Sequence, residues 1–192
     1  SLSLVDGQPL LWLSRLMPSP LPEKISGSDF VPRVVERAAA RGWRLFFLGA
    51  AEGVAARAAA VLEERHPGIE IVVHSPTFGF ENDPNEVATV LDMIRKAKPQ
   101  ILVLALGCPK QELLMHAWRE ELGATVAIGA GATLDFIAGD VVRSPAWVSS
   151  MGFEWLYRLA REPRRLAHRY LVRDPEIVRI AWRMFRRRDQ PG

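Results

Sequence analysis

Short, unbroken apolar runs alternate with amphipathic helical patterns from about residue 28 to residue 129, and this alternation narrows the choice of fold. A helix fits Asp29 to Arg41, with Ser28 or Asp29 as its cap, Pro32 in the first turn and Gly42 at its stop. The apolar run Trp43 to Leu48 follows. A second helix fits Val54 to Arg65, closed by Pro67 and Gly68, and a second strand spans Ile69 to His74. Asn82 or Asp83 caps a helix over Asn85 to Ala97, with Pro84 at its first position. The third strand is Ile101 to Leu106, a helix runs from Gln111 to Leu122, and the fourth strand is Thr125 to Ile128. Strands alternating with helices imply a parallel sheet with helices on both faces. The strands lack polar alternation, as a sheet buried on both sides requires. The expected fold is therefore α/β and Rossmann-like.

In such a sheet, ligands lie beyond the carboxyl ends of the strands, near the point where strand order reverses. Attention falls on residues 49–53, 75–80, 107–112 and 129–135. Gly49 ends the first apolar run. The segment Gly107-Cys108-Pro109-Lys110-Gln111-Glu112 joins a strand to a helix start, where free N–H groups attract anions and Lys110 adds positive charge. Gln111 can donate and accept, and Glu112 offers acceptors suited to hydroxyls. The same composition also makes an ordinary βα turn. In Gly129-Ala130-Gly131 the glycines allow close approach to a ligand or another chain. Asp135 lies among apolar residues, so it either caps a helix, pairs with Arg143, or holds substrate. Asp6-Gly7 reads as a turn or as the site of a general base.

Past Gly139 the pattern changes. Residues 145–192 contain no strand-like run and read as two or three helices, so the division is an α/β domain over 1–144 and a helical appendage over 145–192. From Met151 to Gly192 there are 11 arginines and no lysine against five acidic residues, net +6; with a total of +3, the other 150 residues carry −3. Arg158, Arg161, Arg164, Arg165, Arg169 and Arg173 are interleaved with Trp155, Leu156, Leu159, Leu166 and Tyr170. Over Glu176 to Arg188, the arginines at 179, 183, 186 and 187 face away from Ile177, Ile180, Met184 and Phe185, a basic amphipathic helix. This charge asymmetry points to a polyanionic partner. A solvated basic face is the plainer reading.

Other classes fit poorly. The single cysteine, Cys108, cannot form an internal disulfide. The four histidines show no metal-binding spacing, and no Asp-x-Asp or G-x-S-x-G motif occurs. No metal and no cofactor are therefore expected, and charge on a leaving diphosphate would have to be offset by Arg, Lys or helix dipoles. No apolar run is long enough to span a bilayer, and no signal peptide is visible, so a cytoplasmic location is expected. Nucleic acid is not expected as a partner, for lack of any recognisable binding motif.

Taken together, Asp6-Gly7, Gly27-Ser28-Asp29, Phe47-Leu48-Gly49, Pro76 to Phe80, Gly107-x-Pro-x-Gln-Glu112, Gly129-x-Gly131, Asp135-Phe136-x-x-Gly139, Arg143-Ser-Pro145 and Glu154-Trp-x-x-Arg158-Leu-x-x-Glu162-Pro163 resemble the WecG/TagA/CpsF glycosyltransferases, family 26. The resemblance runs over nearly the whole chain. It implies an inverting transferase that moves an N-acetylmannosamine-type or related sugar from a UDP-sugar to a polyprenyl-diphosphate-linked acceptor, in teichoic acid, common antigen or capsule synthesis.

By that resemblance Asp6 is the catalytic base, with Arg158 and Arg165 beside it in catalysis. Gly49, Pro109, Lys110, Gln111, Glu112, Gly129, Gly131, Asp135 and Arg143 would form the substrate pocket. Arg161, Arg164, Arg169, Arg179 and Arg183 would meet diphosphate or an anionic membrane at the inner face of a bacterial plasma membrane. Homo-oligomerisation is left open. The family usually carries a further segment ahead of its Asp-Gly motif, with a Thr-x-Asn strand end in the active site. This chain begins five residues before Asp6 and is expected to be truncated or shortened. The alternative is thus a non-catalytic nucleotide-sugar-binding or scaffold relative.

Overall fold

The computed structural model describes residues 2–15, 19–141, 145, 148 and 153–161. By contacts the chain divides into two compact units: residues 26–142, and residues 1–25 with 143–192.

The first unit is a four-stranded parallel sheet of β1 (Leu45–Gly49), β2 (Ile71–His74), β3 (Ile101–Ala105) and β4 (Val126–Gly129), in the order β2-β1-β3-β4. Register runs Leu45 beside Ile71 and Ile101, and Ile101 beside Val126. Because side chains alternate across a strand, β1 and β3 feed two cores. Leu45, Phe47, Ile101 and Val103 face a layer with α2 (Gly27–Arg41), α3 (Val54–Arg65) and α6 (Thr133–Ala138). Phe46, Leu48, Leu102 and Leu104 face Val90, Leu91 and Ile94 of α4 (Pro84–Ala97), and Trp118 and Leu122 after α5 (Lys110–Ala117). The expected α/β architecture with helices on both faces is present.

The strands differ in cover. β1 is buried throughout, whereas β2 is half-buried and Val126 of β4 is 48% exposed. The expectation of full burial on both faces therefore holds at the centre of the sheet and not at β2 and β4, each of which pairs with a single neighbour among the described residues.

Local rules account for most boundaries. Asp83 Oδ1 accepts from Asn85 N–H at 2.8 Å, with Pro84 opening α4, so Asp83 is the cap. α2 begins at Gly27, earlier than expected, because Ser26 precedes it in an extended conformation, with its hydroxyl 2.6 Å from Asp29 Oδ2. α5 stops at Ala117 rather than Leu122. Trp118 and Leu122 are nonetheless buried, and Leu122 N–H still reaches Trp118 O at 3.0 Å, so a turn meets the same packing need. The helix α6 had no sequence-based counterpart.

The second unit contributes α1 (Gln8–Ser14), also not anticipated, and α7 (Glu154–Arg161). Val5 O accepts from Ile25 N–H at 2.9 Å, and Ser14 Oγ accepts from Leu21 N–H at 3.1 Å, which brings Ile25 beside Val5 and Leu21 beside Ser14. The Trp12 and Phe153 rings meet edge-on, 6.3 Å between centroids.

Candidate active site

The chain order fixes where a pocket can form. From β1 the chain crosses to β2 on one side and then to β3 on the other, so the order reverses between β1 and β3. Parallel strands bring all four following turns to one end of the sheet.

The centre of that end is closely packed. Gly49 has φ +102°, and a Cβ there would lie 2.7 Å from Ala105 O and from Leu106 Cδ2. Only glycine fits this junction. Ala50 N–H donates to Ala105 O at 2.8 Å and Ser75 Oγ donates to Gly49 O at 3.0 Å, tying the ends of β1 and β3 to the loop after β2.

The turn after β3 is tied to the turn after β4. The Cys108–Pro109 peptide bond is cis, and α5 starts at Lys110. Gln111 is 5% exposed, and its Oε1 accepts from Gly131 N–H at 3.1 Å while its Nε2 donates to Glu112 Oε1 at 2.8 Å. A Cβ on Gly129 would stand 2.7 Å from Gln111 Nε2. Gln111 is thus spent on protein contacts: it positions the Gly129–Gly131 turn and the exposed Glu112 carboxylate. Asp135 is half-buried in the first turn of α6, where its main-chain oxygen accepts from Asp140 at 3.0 Å and Val141 at 3.3 Å.

Lys110 Nζ lies 2.5 Å from Glu81 Oε1 and 5.0 Å from the centre of the Phe78 ring. The hydrogen bond from Lys110 is the main cause holding the Glu81 carboxyl below its ordinary range; a main-chain hydrogen bond adds to it and burial opposes it. Neither Phe78 nor Glu81 stood out as a ligand residue in the sequence. Their place in the loop after β2 was the available signal.

The electrostatic balance at this end of the sheet is informative. Across the four turns Lys110 is the sole Lys or Arg, set against Glu52, Glu112 and Asp135, and it is already paired. A bound diphosphate would meet helix-start dipoles here but no surplus of formal cations.

The other expected residues fall elsewhere. Asp6 is exposed ahead of α1 in the second unit. Arg158 and Arg161 belong to α7. Arg143, Arg164, Arg165, Arg169, Arg179 and Arg183, with the helix expected over 176–188, lie outside the described residues. Among the described residues no group of three or more His, Cys, Asp and Glu side chains could hold a metal, and no helix is long and apolar enough to cross a membrane.

Comparison with known proteins matches the sequence to transferases. Over 162 residues the chain is 35% identical to the N-acetylglucosaminyldiphosphoundecaprenol N-acetyl-beta-D-mannosaminyltransferase of Bacillus spizizenii W23, covering 84% of this chain and 61% of that protein. It is 32% identical to the enzyme of the same name from Bacillus subtilis 168, with the same coverage. The Staphylococcus aureus MW2 protein is 27% identical over 163 residues, covering 85% of this chain and 62% of the relative. The chain therefore spans about three fifths of the length of these relatives. The model of the glycosyl transferase WecG/TagA/CpsF family matches residues 1–191, and the chain belongs to that family.

Proposed function

We propose that this chain serves an inverting glycosyltransferase that moves an N-acetylmannosamine-type sugar from UDP to a polyprenyl-diphosphate-linked acceptor. Family membership supports the reaction class, and the names of the relatives suggest the sugar and the lipid-linked acceptor. The observation that carries the mechanism is the shortage of cations at the sheet tips. Donor phosphates need counter-charge; at this end of the sheet Lys110 is paired with Glu81, and Arg57 beside Gly53 is paired with Asp140, so the arginines from 143 onward are a further source.

Asp6 takes the proton from the acceptor hydroxyl. The oxygen attacks the anomeric carbon opposite the diphosphate, the C–O bond to phosphate breaks, and its electron pair leaves with UDP. One displacement inverts the configuration, giving the β linkage in the relatives' names from an α-linked donor. Arg158 and Arg165 stabilise the departing diphosphate, an arrangement of fixed charge aimed at developing charge. Gly49, Pro109, Gly129, Gly131 and Asp135 shape the donor pocket, Lys110, Glu112 and Arg143 bind in it, and Gln111 holds two of its turns together.

Residues 145–192 act as an appendage to a domain over 1–144, at the inner face of the bacterial plasma membrane. Arg161, Arg164, Arg169, Arg179 and Arg183 engage anionic lipid or diphosphate, each worth about 1 kcal/mol near the surface. The second unit already exposes Trp12, Phe153 and Leu156 by 39%, 43% and 48%, side chains suited to a membrane interface. The product would feed cell-wall or exopolysaccharide assembly, including teichoic acid.

A UDP-release assay across UDP-sugars, with a lipid-diphosphate acceptor analogue, tests this reading. Acceptor-dependent release from UDP-N-acetylmannosamine supports transfer. UDP binding without release would favour a non-catalytic nucleotide-sugar-binding or scaffold role.

A further inference from the structure

Resting on the donor-binding reading above, we infer that Phe78 is a specificity-determining platform that stacks on the sugar ring of the nucleotide-sugar donor. A single exposed apolar side chain is ordinary on a protein surface. Phe78 differs in three respects. Its exposure is 102%, so its ring packs against almost nothing, although the next aromatic, Phe80, is 2% exposed. It belongs to the turn after β2, at the ligand-binding end of the sheet. A cation is also held over its face: Lys110 Nζ is 5.0 Å from the ring centre and is located there by Glu81 at 2.5 Å.

Glu81 strengthens this assignment. Its Oε2 is shielded from solvent without a hydrogen-bond partner, and its other oxygen holds Lys110. The pair is close to neutral. It therefore places an N–H donor over one face of the ring and leaves the other face open, more than it supplies charge. That combination suits a sugar: one polar edge to hydrogen-bond, and a face of C–H groups whose slight positive charge complements the negative face of an aromatic ring.

Chain geometry selects the sugar over the base. Lys110 opens α5, where a phosphate would be drawn. In a nucleoside diphosphate sugar the hexose is joined through one oxygen to the distal phosphate. The base is removed from that phosphate by the ribose and a second phosphate. A ring beside the residue that opens this helix thus meets the hexose.

Calorimetry on the full chain, with UDP and with UDP-N-acetylmannosamine as ligands, tests this. Phe78→Ala should weaken the sugar nucleotide about fivefold to tenfold, leave UDP within about twofold, and be rescued by Phe78→Trp. Because the side chain packs against almost nothing, folding is not at stake. Equal weakening of both ligands would put the ring on the nucleotide and overturn the proposal. So would no change in either, including the case where partition onto anionic vesicles falls instead. If the unsubstituted chain binds neither ligand, the donor-binding reading itself fails, an outcome distinct from a failure at Phe78 alone.

Discussion

The turns at the sheet tips and the carboxyl-terminal region divide two tasks that many binding sites combine. The tips are closely packed and their cations are paired: Gln111 joins two turns, Gly49 admits no side chain, Lys110 is paired with Glu81 and Arg57 with Asp140. Residues 151–192 carry 11 arginines and no lysine. Shape is built in one place and positive charge in another. The contrast teaches that the turns of a parallel sheet can be closely tied together without carrying a surplus of positive charge, which the sequence concentrates elsewhere in the chain.

Several substitutions break or sharpen that contrast. The largest effect is expected at the proposed base: Asp6→Asn, made in a full-length relative, should lower turnover about 100-fold to 10,000-fold with UDP affinity retained. Near-normal turnover would reject the assignment. Next, Arg165→Ala should slow transfer about 100-fold or more, because a donor aimed at developing charge is lost. Deleting the chain after Met151 should abolish binding to anionic liposomes in a sedimentation assay, and unchanged binding would remove the membrane role.

Gly129→Ala tests the closely packed half. Its new Cβ would meet Gln111 Nε2, and thermal or denaturant unfolding should show about 1–3 kcal/mol of destabilisation. The smallest effect concerns Glu81. Its folded-state pKa is depressed, so its contribution to stability is present above the ordinary carboxylate pKa and lost as pH falls through the lower folded value. Glu81→Gln should lower stability modestly at neutral pH and flatten stability against pH in that acidic window, so that the two proteins converge in acid. An unchanged acid limb would mean the ion pair contributes nothing.

Much of the fold was legible in the sequence. The unbroken apolar runs at 45–49 and 101–105 announced the central strands, and capping residues such as Asp83 with Pro84 marked a helix start. The short helices α1 and α6 were missed because six or seven residues are too few to display a 3.6-residue period. The uncovered face of β4 was also hidden, since an apolar run does not reveal how many neighbours a strand has. At the site, the Gly107–Glu112 turn was visible from its residue types. The role of Gln111 as an internal brace was not, because its partner Gly131 is 20 residues away. Likewise the Lys110–Glu81 pair joins two turns that only the sheet brings together, so the lysine read as a free cation.

The central claim is that arginines outside the sheet, rather than groups at its tips, neutralise the donor phosphates. Calorimetric titration of uridine and of UDP into the full chain and its Arg158→Ala, Arg165→Ala double variant tests it most directly. The account predicts that UDP affinity falls by about tenfold or more, as loss of charge-assisted contacts would cause, while uridine affinity holds. Unchanged UDP affinity in the double variant would contradict it.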